Sequence, residues 1–211
     1  LCEWLLNGGS MQDFFLLMKP RAGKNTTMFW GISKYVEIIK KENPNKTIIV
    51  DFLSLWPSAF SGGLKDIKDY YYINGITLAG VNTSEENWQT ELEKLLNDST
   101  IDAVFRFASL QSIDSEIAKA YNDDEDREGA EIDYVPSKAE YFKSNIADLC
   151  VIDESDHGMR TTRSTDVLEA FGYTKRVWMS GTDLYALKNK IVFNPVKNHF
   201  VYDILDEVQD V

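Results

Sequence analysis

Apolar residues along the chain fall into two rhythms. Phe14-Phe15-Leu16-Leu17-Met18 is an unbroken apolar run followed by Pro20 and Gly23, which suits a central strand buried on both faces and feeding a loop. From Thr26 the pattern changes: Phe29, Trp30, Ile32, Tyr35, Val36 and Ile39 recur at helical spacing as far as Glu42-Asn43-Pro44-Asn45. Ahead of this unit, Leu1, Trp4 and Leu5 share one helical face and Gly8-Gly9 stops that helix. The order predicted is helix, strand, tight loop, helix.

The alternation continues. Residues 47–53 are β-branched and read as a strand, and Trp56-Pro57-Ser58 opens a helix that tolerates Pro57 in its first turn. Helices are predicted over 85–96, 137–146 and 165–171, and strands over 101–107, 147–153 and 176–180. Strands alternating with helices imply an α/β fold whose mostly parallel sheet is covered by helices on both faces. Neither an internal repeat nor a Gly/Ser-rich linker divides residues 1–211, which are expected to form one domain.

Charge narrows the choice of partner. Lys and Arg total 22 against 34 Asp and Glu, a net charge of −12, so any nucleic-acid contact must be local and not spread over the surface. Residues 122–128 place five carboxylates in seven positions and read as a solvated loop. Cys2 and Cys150 stand apart without a CxxC or a histidine-rich neighbourhood, which argues against a disulfide or a zinc site and for the cytoplasm. No apolar stretch approaches the roughly 20 residues that cross a bilayer, so no membrane partner is expected. The opening on Leu1 and the close on Val211 read as a piece of a longer protein.

Two segments carry candidate chemistry. Residues Lys19, Pro20, Arg21, Ala22, Gly23, Lys24, Asn25 and Thr26 follow a strand and open a helix. Such a loop can cradle phosphates with backbone N–H groups while Lys24 reaches the terminal ones. The full phosphate-loop pattern asks for Gly where Met18 stands and Ser or Thr where Asn25 stands. By itself Gly23-Lys24 is more often a surface turn with a solvated lysine. The second segment, Leu149 to Gly158, is an apolar strand delivering Asp153 and Glu154 at its C-terminal end, where open α/β sheets bind ligands. Asp153 suits Mg²⁺ and Glu154 an attacking water; alone, the pair is also an acidic turn capping the next helix.

Together these motifs resemble superfamily-two helicases and translocases, in particular the motor subunits of restriction enzymes and phage-encoded relatives. The carrying residues are Lys19-Pro20-Arg21-Ala22-Gly23-Lys24, Asp153-Glu154-Ser155-Asp156 and Ser180-Gly181-Thr182, in that order, with Asp51 to Pro57 and Phe107 to Gln111 ending strands between them. The resemblance implies a RecA-like P-loop NTPase fold and an ATP-dependent DNA helicase or translocase that uses ATP and Mg²⁺. Lys24 would bind the β- and γ-phosphates, Asp153 with Asn25 or Thr26 would hold Mg²⁺, and Glu154 would activate water. Ser54, Ser109 and Gln111 would contact the nucleic-acid backbone, DNA in preference to RNA, and such contacts position the strand without reading sequence. Asp156, Ser180, Gly181 and Thr182 would couple the nucleotide and DNA sites. A second motor domain, and in some relatives a nuclease, would lie elsewhere in the chain.

Departures from the pattern keep two rivals in view. Asn25 replaces the usual hydroxyl ligand of Mg²⁺, which favours weak hydrolysis or a regulatory domain that binds nucleotide without turning it over. A small-molecule kinase would share the loop but not the strand-end serines. His157 follows Asp156 where relatives carry His one place earlier, and Asp183 stands where they carry Pro. His199, beside Phe200-Val201-Tyr202, reads as structural, and Tyr70-Tyr71-Tyr72 as an aromatic cluster partly buried against the sheet edge.

Overall fold

The computed structural model describes residues 1–7, 13–18, 22–54, 58–69, 72–73, 75–113, 136–153, 168–169, 171–181 and 199–202. Their strands are β1 (Asp13–Met18), β2 (Ile48–Ser54), β3 (Tyr72–Ile73), β4 (Ile76–Asn82), β5 (Ala103–Ser109), β6 (Leu149–Ile152), β7 (Arg176–Ser180) and β8 (His199–Tyr202). The helices are α1 (Cys2–Asn7), α2 (Lys24–Glu42), α3 (Ser58–Asp69), α4 (Trp88–Asn97), α5 (Leu110–Ile113) and α6 (Pro136–Ser144). All eight strands join one sheet in the order β3-β4-β5-β2-β6-β7-β1-β8. Only the β3–β4 pair is antiparallel.

Side chains alternate between the faces of a strand, and each face has its own helices. Phe14, Leu16, Met18, Val50 and Phe52 point to the side covered by α1, α2 and α3, where they meet Trp4, Met28, Phe29, Ile32, Val36 and Ile67. Phe15, Leu53, Cys150, Ile152 and Trp178 point to the other side, against Trp88, Leu92, Leu110 and Phe142 of α4, α5 and α6. Met28, Phe29, Ile32 and Val36 are fully buried, each contributing about 1.5–3 kcal/mol by leaving water. Trp30, placed on that apolar stripe by its spacing, instead faces outward and is 50% exposed. It lies one step beyond the stripe, and a helix advances roughly 100° per residue.

Three strands were not anticipated: β3, β4 and β8. Tyr72 is 62% exposed on β3 while Ile73 is buried, so the expectation of burial fails for this tyrosine. Period-two alternation turns it outward; Tyr70 and Tyr71 lie outside the described residues. Several boundaries move for local reasons. Helix α4 starts at Trp88, not 85, because Asn82 Oδ1 accepts from the Ser84 N–H and holds 82–85 in a turn. Strand β5 begins at Ala103, since Asp98 Oδ1 accepts from the Thr100 N–H and Oγ1. Most of the helix expected at 165–171, and the acidic run 122–128, lie outside the described residues.

Two charged clusters are threaded through the sheet. Asp51 on β2 and Arg106 on β5 are partners in register, both fully buried. Arg106 Nε donates to Asp51 Oδ1 at 2.5 Å, Nη2 to Asp51 Oδ2 at 2.9 Å and to the Asn145 carbonyl at 2.8 Å. Tyr173 Oη donates to Asp51 Oδ2 at 2.6 Å, and the guanidinium lies 4.5 Å from the centre of the Phe142 ring. Burial opposes the Arg106 charge, but Asp51 outweighs it and holds the guanidinium above its ordinary value. At the start of β1, Asp13 accepts from Arg176 Nε at 2.7 Å and from Trp178 Nε1 at 2.7 Å, fixing β1 against β7.

Cys150, in register with Asp51, has its thiol pushed well up by burial first and by Asp51 second. Its folded value thus lies above the unfolded one. The neutral thiol's contribution to stability is complete below the unfolded value near ~8.5 and is lost as pH rises beyond it. We expect urea midpoints to fall between pH 8 and pH 10, and Cys150→Ala to flatten the first part of that fall. An unchanged slope in the variant would assign the decline to other groups.

Candidate functional site

The parallel strands end on one edge of the sheet, bringing together segments remote in sequence. Ala22 packs on the core beneath α2, and Gly23 precedes the helix with φ 81° and ψ 29°. This left-handed conformation suits a residue without Cβ, and it turns the chain so that the first helical bond, Thr27 N–H to Gly23 carbonyl, closes at 2.9 Å. Lys24, Asn25 and Thr26 form the first turn of α2, whose positive end faces this edge.

Asp153 follows β6 immediately and is held there by its N–H, which donates to the Leu53 carbonyl at 2.9 Å. Lys24 Nζ lies 3.0 Å from Asp153 Oδ1, and both side chains are largely buried. Among the described residues two oxygens at this edge, Asn25 Oδ1 and Asp153 Oδ1, are buried without a hydrogen-bond partner; the approach of Lys24 to Asp153 is a charge contact, not a directed bond. Hard oxygens of this kind suit Mg²⁺, so the donors present fit that ion.

Other strand ends align alongside. Ser54 pairs in register with Ser109, and Leu17 with Ser180. All three serines are buried. Ser109 Oγ accepts from the Ser112 N–H at 3.2 Å and caps α5. Gly181 follows β7 directly. Lys138 on α6, which the sequence reading passed over, donates to the Thr83 carbonyl at 2.6 Å and ties α6 to the end of β4; burial lowers its pKa.

The structure thus juxtaposes Lys24 and Asp153, with Asn25 and Thr26 adjoining, and lines up Ser54, Ser109 and Ser180 beside them. Lys19, Pro20, Arg21, Glu154, Asp156, Thr182 and the Gln111 side chain lie outside the described residues. Asp66 of α3 also belongs to this edge, since it accepts from Asn25 Nδ2 at 2.8 Å. Its only sequence signal was a carboxylate on a helix beginning where β2 ends.

The fold has counterparts among solved structures. Over 99% of this chain it superposes, at TM-score 0.56 and 14% identity, on a nuclease-deletion mutant of the Type ISP restriction-modification enzyme LlaGI in complex with a DNA substrate mimic. Over 89% it superposes, at TM-score 0.54 and 14% identity, on the DEAD-box helicase Mss116 bound to ssRNA and UDP-BeF. The fold is the RecA-like α/β fold of these two structures. This chain covers 19% of the LlaGI chain and 35% of the Mss116 chain. No family model and no curated protein matches its sequence. Within this fold, the edge carrying Lys24 and Asp153 is the one where open α/β sheets bind ligands. No helix among the described residues is long and apolar enough to cross a membrane.

Proposed function

We propose that residues 1–211 form an ATP-binding motor domain of a nucleic-acid helicase or translocase, acting on DNA in a restriction or phage system together with a second motor domain. The supporting observation is the Lys24–Asp153 pair, which joins the first residue of α2 to the end of β6. Lysine there offsets phosphate charge, and the positive helix end adds to the field. Mg²⁺, held by Asp153 with Asn25 or Thr26, would supply charge neutralisation at the β- and γ-phosphates. Glu154 orients the attacking water and accepts its proton.

Nucleic acid crosses the same edge at the ends of β2 and β5. Ser54, Ser109 and Gln111 stand at those strand ends as the contacts to its phosphates. Asp156 and the segment Ser180-Gly181-Thr182 transmit nucleotide state to that track.

Glu154→Gln in the full chain is expected to lower ATP turnover by roughly 10²–10⁴-fold while leaving ATP binding in place. Unchanged turnover would remove Glu154 from the role of base. One observation favours a second reading, a domain that binds nucleotide without hydrolysis: Asn25 stands at the hydroxyl position and its amide is tied to Asp66. Calorimetric binding of ATP with Mg²⁺, without turnover in the presence of DNA, would select it.

A further inference from the structure

Asn25 and Asp66 belong to different helices, α2 and α3, and meet through one bond of 2.8 Å from Asn25 Nδ2 to Asp66 Oδ2. An amide has a donor end and an acceptor end. A carboxylate accepts only, so Asp66 selects the donor end. Rotation of the amide by 180° would set Asn25 Oδ1 against Asp66 Oδ2, oxygen facing oxygen. The bond therefore fixes where Oδ1 points, and Oδ1 is buried with no hydrogen-bond partner. The Asp153 oxygen paired with the neighbouring Lys24 is likewise buried without a hydrogen bond.

We propose that Asp66 is a positioning residue that locks the Asn25 amide with its carbonyl oxygen toward the metal of the nucleotide site, so that Asn25 replaces a hydroxyl ligand only with Asp66 behind it. This rests on the ATP-binding reading above. A threonine at 25 would need no such lock, because a hydroxyl rotates to suit its partner. An asparagine without that support can turn its NH₂ group, which cannot ligate a cation, to the same place, and its oxygen is no longer held in line with the metal. Asp66 also makes the metal ligand depend on α3, the helix that follows the end of β2.

The test is calorimetric titration of the full chain with ATP, once in Mg²⁺ and once in EDTA. Asp66→Ala and Asn25→Ala are each expected to lose roughly 10-fold of the affinity that Mg²⁺ adds, as for other supports of metal ligands. Affinity in EDTA should be unchanged. The double variant Asn25→Thr with Asp66→Ala should recover the Mg²⁺-dependent gain, a rescue that a merely structural role for Asp66 would not produce. Equal losses in Mg²⁺ and EDTA, wild-type behaviour of Asp66→Ala, or failure of threonine to rescue would each overturn the proposal. Asn25→Ala leaves α3 untouched, so if it keeps the Mg²⁺-dependent gain the proposal falls whether or not Asp66→Ala folds. A wild-type chain that binds no ATP in either buffer would overturn the ATP reading itself; wild-type binding with indifferent variants overturns only the role of Asp66.

Discussion

Lys24→Ala is expected to lower ATP turnover by roughly 100-fold or more, the cost of removing one preorganised charge from a phosphoryl-transfer site, and to weaken ATP binding as well. Lysine at this place does two things. Its ammonium group is held 3.0 Å from Asp153, so it is directed to the sheet edge and not free to sweep solvent. It also follows Gly23, whose left-handed turn delivers the helix N-terminus to the same spot. Removing it deletes the cation and leaves Asp153, a largely buried carboxylate, without its countercharge. Asp153→Asn should separate these effects, retaining ATP affinity in EDTA while losing the gain that Mg²⁺ gives. Turnover of Lys24→Ala at the wild-type rate, measured with DNA present, would exclude this edge as the nucleotide site.

The second large effect concerns stability. Arg106→Met leaves the Asp51 carboxylate buried with Tyr173 as its one remaining side-chain donor among the described residues. Stripping one partner from a buried ion pair costs about 3–5 kcal/mol, read as a large drop in the urea midpoint. Replacing the whole cluster, with Asp51→Leu, Arg106→Met and Tyr173→Phe together, should cost far less, because no charge is then stranded. A loss below about 1 kcal/mol for Arg106→Met alone would show that Asp51 is already neutral in the folded chain.

How far the sequence disclosed all this depended on what each segment packs against. Phe14 to Met18 was legible because a strand buried on both faces must be apolar throughout. Strand β4 was not legible: Ile76-Thr77-Leu78-Ala79-Gly80-Val81-Asn82 dilutes its alternation with small residues. Gly80 is small for a reason that sequence cannot show, since a Cβ there would lie 2.9 Å from the Phe107 ring and 3.1 Å from Ile67 Cδ1. The pairing of Asp51 with Arg106 did leave a trace, one charge in the middle of each of two apolar runs, Val50-Asp51-Phe52 and Phe105-Arg106-Phe107. At the site, Lys24 and Asp153 could be set side by side from one sequence only through a resemblance in motif order. Asp66 had no such help, because Lys65-Asp66 reads like any solvated helical face.

The Asp51–Arg106 pair also bears on how the chain finds its final alignment. A strand displaced by one residue sends every side chain to the opposite face. For β5 sliding along β2, that would carry Arg106 away from Asp51 and strand both charges in apolar surroundings. Near-miss alignments of the two central strands are thereby penalised far more than a purely hydrocarbon interface would penalise them. Three residues downstream of the pair stand Ser54 and Ser109, matched across the same two strands. The ion pair thus acts as a frame mark during folding, and the spacing of the strand ends at Ser54 and Ser109 is set from inside the sheet.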